Sequence, residues 1–137
     1  MPRSIIPKSS SYYLVNLLKV KQKVNLWKNN LPNVNPYYAV KCNPNEHVIK
    51  LLNSMDVKFD CASMNELVQL KNYNINPDNI IFANPCKMNE HIHYANINNI
   101  NLMTFDSYHE LIKIKMYHPF AKLIIRIRVD DSKAKCK

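Results

Sequence analysis

The 137-residue chain contains no glycine. Ordinary usage of about 7% would supply roughly nine or ten, and their absence excludes every Gly-rich phosphate cradle, whether P-loop or dinucleotide fingerprint. Paired metal-ligand motifs are missing as well. Cys42, Cys61, Cys86 and Cys136 stand apart, without CxxC spacing and without histidines at zinc-finger distance, so no metal site and no disulfide framework are expected. Reduced thiols and a cytoplasmic location fit that pattern. Apolar runs are short, Ile80 to Ala83 and Leu123 to Ile125 being typical, against the ~20 residues that span a bilayer, and no secretory pattern opens the chain. No membrane partner is expected. Acidic residues are scarce, 10 Asp+Glu against 19 Lys+Arg, for a net charge of +9. Such a balance suits a polyanion partner when the cations are massed on one stripe. Here they are scattered from Lys8 to Lys137 among abundant Asn and Ile, so the excess reads as compositional drift, and nucleic acid is not an expected partner.

What is present is the composition of a folded domain, 47% hydrophobic and 21% charged, with a regular alternation along it. Met1 to Ser11 is a polar lead-in, and Tyr12 to Trp27 has helical apolar spacing, with a helix expected to end near Asn30 before Pro32 and Pro36. Strands are expected at Tyr37 to Val40, Val57 to Phe59, Asn79 to Ala83, Asn101 to Phe105 and Ala121 to Arg128. Helices are expected between them at Glu46 to Met55, Met64 to Tyr73, Asn89 to Asn96 and Ser107 to His118. Such βαβα order implies parallel strands joined by right-handed crossovers, with strands covered on both faces. The fold class is α/β, a partial (β/α)8 TIM-type barrel of about five parallel βα units.

A polar residue closes each apolar run: Lys41, Asp60, Asn84, Asp106 and Arg126, at a period of about twenty residues, as a repeating βα unit requires. In a parallel barrel the carboxyl ends of all strands open on one face, where catalytic side chains converge. A plainer role competes for Asn84 and Asp106, which stand where they could cap the helices that follow. Lys41 lies at the tip of an apolar strand. Desolvation and neighbouring cations there would lower the amine's pKa and suit it to Schiff-base chemistry, with Asp60 one strand away as its natural partner. A lysine that snorkels from a strand end fits the same position.

Five runs together carry a resemblance. Tyr37-Tyr38-Ala39-Val40-Lys41-Cys42-Asn43, Phe59-Asp60-Cys61-Ala62-Ser63 with Glu66, Ala83-Asn84-Pro85-Cys86-Lys87, Met103-Thr104-Phe105-Asp106-Ser107 and Asp130-Asp131-Ser132-Lys133-Ala134 are similar, in order, to the eukaryotic ornithine decarboxylase family. That family belongs to the pyridoxal 5'-phosphate (PLP) dependent ornithine, lysine and arginine decarboxylases of the alanine-racemase-like barrel group. The likeness runs from about Tyr12 to Lys137. It implies decarboxylation of L-ornithine to putrescine, with PLP held on the amine of Lys41. By matched position, Asp60 and Arg126 belong to the cofactor pocket, Ala39 packs beside the ring, and Glu66 supports Asp60. A first run like Tyr37 to Asn43 would, alone, also suit diaminopimelate decarboxylase.

The departures are equally specific. The family's ring-stacking histidine, Gly-rich phosphate loop, ring-nitrogen acid and C-terminal β-domain have no counterpart in the chain, and Lys58 stands where a glycine is common. The resemblance thus implies an N-terminal piece, with residues 1–30 as lead-in and helix and 31–137 as a partial PLP-binding barrel domain, inactive alone. A non-catalytic regulator of the antizyme-inhibitor kind is the alternative, against which the joint retention of Lys41, Asp60 and Arg126 argues. The partners implied are the amino-acid substrate and a second copy in a homodimer, with antizyme along Asn89 to Lys115 as a further one, a stretch that reads first as an ordinary solvated helix.

Overall fold

The computed structural model describes Ser11 and residues 13–130. Helix α1 (Leu17–Asn30) starts five residues later than its apolar spacing suggests, because the Asn16 side chain caps it by accepting the Lys19 N–H at 3.2 Å. Tyr12 lies outside the described residues, as does everything after Asp130, including Asp131 to Ala134 and Cys136. The strands are β1 (Tyr37–Ala39), β2 (Lys58–Cys61), β3 (Ile80–Phe82), β4 (Leu102–Phe105) and β5 (Lys122–Ile125). Between them run α2 (Glu46–Ser54), α3 (Met64–Asn72), α4 (Asn89–Ile97) and α5 (Tyr108–Tyr117). All neighbours pair in parallel and the spatial order is β1-β2-β3-β4-β5, the order that short crossovers between consecutive strands demand.

Two expectations need correction. Strand β1 stops at Ala39, because the chain turns into a single 3-10 turn at Val40–Cys42 that buries Val40 completely. Helix cover on both faces also fails, since among the described residues the helices pack on one face of the sheet, and β5 lacks cover on either. Every residue of β5 is exposed, since the strand lies at the sheet edge and, among the described residues, no helix follows it.

Three helix-to-strand reversals, those leading into β2, β3 and β4, show how a glycine-free chain closes a unit. Asp56, Asn74 and Asn99 hold φ of 56°, 57° and 58°, the left-handed region that most side chains avoid. Each stands just past a helix end. The amide of the following residue reaches back to the helix, Val57 to the Leu52 carbonyl at 3.1 Å, Ile75 to Leu70 at 3.1 Å and Ile100 to Ala95 at 2.9 Å. This is the Schellman closure, with its apolar contact supplied by buried Val57, Ile75 and Ile100. Asn and Asp tolerate the left-handed conformation better than other side chains, so they occupy the place glycine usually takes.

The helices cover one face of the sheet only. Phe59, Cys61, Ile80, Phe82 and Met103 from the strands pack with Val48, Ile49, Leu52, Leu67, Leu70, Ile92 and Ile114 from α2–α5. Strand alternation sends Ala39, Asp60 and Thr104 to the opposite face, and Ile81, in register with Asp60, accordingly stands outside that cluster. The left-handed turns generate a test. Asn99→Gly should leave urea stability within about 0.5 kcal/mol of wild type, whereas Asn99→Val should cost about 1–2 kcal/mol. Equal losses for both would mean that the φ of residue 99 does not limit the turn.

Candidate active site

The parallel register sets the site's layout. Ala39 of β1 is level with Asp60 of β2, and the strand ends of β4 and β5 carry Asp106 and Arg126 beyond Phe105 and Ile125, which are also level. The carboxyl ends of the five parallel strands thus form one rim, and alternation puts Ala39, Asp60, Asp106 and Arg126 on the face the helices leave open.

Lys41 sits on the 3-10 turn and is exposed. The desolvation expected of it is not found, because the turn directs Val40 into the core and leaves Lys41 in solvent. Asp60 is the group whose chemistry the site alters. It is half-buried, and burial holds its carboxyl above the usual carboxylate range, with the Lys41 ammonium opposing the rise and the Glu66 charge adding to it. The Lys41 and Glu66 charges therefore act on Asp60 in opposite directions.

Glu66 is placed by a capping box. Ser63 Oγ accepts the Glu66 N–H at 3.3 Å while Glu66 Oε2 accepts the Ala62 N–H at 2.7 Å, so the acid closes the turn between β2 and α3 from both sides. Arg126 belongs to a second group. Its Nη2 donates to Asp106 Oδ2 at 2.5 Å, with the arginine side chain 64% exposed and the aspartate 31%.

The helix-capping role open to Asp106 and Asn84 is not the one they play. Ser107 caps α5 by accepting the Glu110 N–H at 3.3 Å, which frees Asp106 for Arg126. Asn84 accepts the Cys86 N–H at 3.1 Å, bracing its own loop, and α4 begins only after Met88.

A buried ion pair behind the rim escaped the sequence reading. Lys87 Nζ and Glu110 Oε1 lie 2.8 Å apart, and both side chains are inaccessible or nearly so. One signal was available. Glu110 and Ile114 share the buried stripe of α5, and a carboxylate on such a stripe requires a buried cation. An apolar cavity of about 400 Å³ lies elsewhere, between α1 and the β1–α2 region, lined by Val20, Val24, Trp27, Tyr38, Leu52 and Val57. It touches none of the rim residues.

The family described as pyridoxal-dependent decarboxylase, pyridoxal binding domain, matches residues 17–137. Ornithine decarboxylase of Saccharomyces cerevisiae is 45% identical over 128 residues, 93% of this chain and 28% of that protein. Among solved structures, the arginine decarboxylase of Paramecium bursaria Chlorella virus superposes with TM-score 0.80 at 40% identity, over 84% of this chain and 31% of that one. The lysine decarboxylase SrLDC of Selenomonas ruminantium, in complex with PLP and cadaverine, superposes with TM-score 0.81 at 31% identity, over 85% of this chain and 31% of that one. The chain belongs to the pyridoxal-dependent decarboxylases and corresponds to the strand-and-helix part of their barrel domain. PLP is the cofactor of that family. The chain spans less than a third of the length of these relatives.

The residues present suit a pyridoxal group. An accessible primary amine stands beside a half-buried carboxyl, and a guanidinium is held at the same rim. Thr104 Oγ1, on the Asp60 face, is buried without a hydrogen-bond partner among the described residues, an acceptor and donor that a polar ligand could satisfy. The two charges acting on Asp60 yield a direct test by carboxyl NMR titration. Glu66→Gln should lower the Asp60 midpoint by removing a like charge, and Lys41→Met should raise it by removing an opposite one. An Asp60 midpoint unmoved by both substitutions would contradict both interactions.

Proposed function

We propose that this chain forms the lysine-bearing wall of the cofactor site of an ornithine decarboxylase that converts L-ornithine to putrescine. The carrying observation is that Lys41 and Asp60 stand at the carboxyl ends of adjacent parallel strands in a chain whose family is pyridoxal-dependent. In this reading Lys41 offers the amine that holds the cofactor, and its exposure leaves that amine open to exchange with an incoming amino group. Asp60 keeps a carboxyl beside the amine. Ala39, level with Asp60, presents a methyl group that lets a flat ring approach the strand. Arg126, oriented by Asp106, contributes a fixed positive charge at the rim, and Glu66 holds the turn that carries Asp60.

Bound PLP supplies an electron sink for the electron pair left when carbon dioxide departs. The chain's own residues position that group and govern charge beside it. With no glycine in the chain, the phosphate is assigned to none of these residues. Ornithine is favoured because the matched curated relatives of two yeasts and the rat, 43–45% identical, are ornithine decarboxylases, although among solved structures an ornithine and an arginine decarboxylase are alike at 39% and 40%. A homodimer, and antizyme along α4 and α5, are the protein partners this reading carries.

The test uses native protein captured from its source cells with an antibody to this chain. Borohydride reduction without added cofactor should leave a pyridoxyl group on the tryptic peptide containing Lys41, and carbon dioxide release should be at least tenfold more efficient from ornithine than from lysine or arginine. An adduct on another lysine would refute the site, and a preference for lysine or arginine would refute the substrate.

A further inference from the structure

Lys87 is the one buried lysine among the described residues, and each of its three N–H donors is used. Nζ donates to the Asn84 carbonyl at 3.0 Å and to the Thr104 carbonyl at 2.7 Å, and it pairs with Glu110 Oε1 at 2.8 Å. The ring of Phe82 lies 5.8 Å from the same nitrogen, a cation–π distance. Glu110 is tied in turn: Oε1 accepts the Lys87 N–H at 3.2 Å, and Oε2 pairs at 2.7 Å with Lys113, whose side chain is 27% exposed. Burial drives the Lys87 pKa down, with Glu110 opposing. Burial also pushes Glu110 up, but Lys113 and Lys87 outweigh it and hold the carboxyl below its ordinary value.

An apolar side chain could fill this space without the desolvation cost of a buried charge. What it could not do is satisfy the two carbonyls. Asn84 follows the end of β3, and Thr104 stands two residues before Asp106, so the ammonium bridges the carboxyl ends of adjacent strands and anchors both to α5. We propose that Lys87 is a positioning residue, a three-donor clamp that fixes the β3 and β4 strand ends and through them the place of Asp106 and Arg126 on the rim. Its bearing on the cofactor rests on the proposed function; the clamp itself does not.

Three variants of the full 137-residue chain separate positioning from plain stability. Lys87→Met alone strands a buried carboxylate and should lower the urea midpoint. Lys87→Met with Glu110→Met removes both charges at similar volume, which restores stability in comparable cases. In that double variant the Ala83 and Arg126 amides, which donate to Cys61 and Phe105 across the strand ends, should exchange hydrogen at least tenfold faster than in wild type. The Val57 amide, in a distant helix turn, should be unchanged. Glu110→Gln keeps an acceptor for the ammonium, and after correction for global stability its Ala83 exchange should stay within twofold of wild type. Wild-type exchange at Ala83 and Arg126 in the double variant would overturn the clamp, as would a tenfold rise in Glu110→Gln. Fast exchange in the double variant, alongside native protein that carries no adduct on Lys41, would sustain the clamp and refute the cofactor site.

Discussion

Every strand of this sheet depends on reversing the chain after a helix without glycine. A parallel βα repeat must bring each helix back to the amino end of the next strand, and three of those returns pass through a residue at φ near +57°. A side chain there meets its own backbone, at a cost of roughly 1–2 kcal/mol for an ordinary residue. Asp56, Asn74 and Asn99 reduce that cost, and the buried residue after each one locks the helix end to the core. Register follows from these turns. Once Val57 and Ile100 are seated, β2 begins one residue later and β4 two residues later, and the two strands end toward the same rim.

Around the rim, charge is organised in a partly buried group, an exposed pair and a buried pair. Lys41, Asp60 and Glu66 interact at the first two strands, and Asp106 with Arg126 at the last two. Between them, behind the sheet, lies Lys87 with Glu110. The exposed Asp106–Arg126 pair contributes little to stability, since solvent screens it and both side chains lose freedom to make it. Its consequence is geometric: it holds a guanidinium in place. The buried pair is of another kind, because removing either member leaves a charge without solvent. The structure therefore places a buried ion pair against the helix layer and leaves the Lys41 amine and the Arg126 guanidinium exposed at the strand ends.

The strands were legible because each is a short apolar run ended by a polar residue, and their sequential parallel order followed from crossover length. The family was legible in five runs of residues. What stayed hidden has physical reasons. The left-handed turns were unreadable because Asn and Asp are abundant and mark many other features here, whereas a glycine would have stood out. Lys41 was expected at a desolvated strand tip, but burial of Val40 bends the chain one residue earlier. Lys87 lay within a quoted run, yet its burial depends on Glu110 twenty-three residues away, and periodicity reports faces within one element, not partners between two. The late start of α1 turns on a single side-chain cap from Asn16.

The central claim is that the carboxyl ends of the strands, on the face opposite the helices, receive the pyridoxal group. Amide chemical shifts of the chain during titration with PLP test it most directly. Shifts should gather at Ala39 to Cys42, Asp60 to Ala62, Asp106 and Arg126, while the amino ends at Tyr37, Lys58, Ile80 and Lys122 stay fixed. Shifts centred on those amino ends, or on the apolar cavity beside α1, would contradict the account.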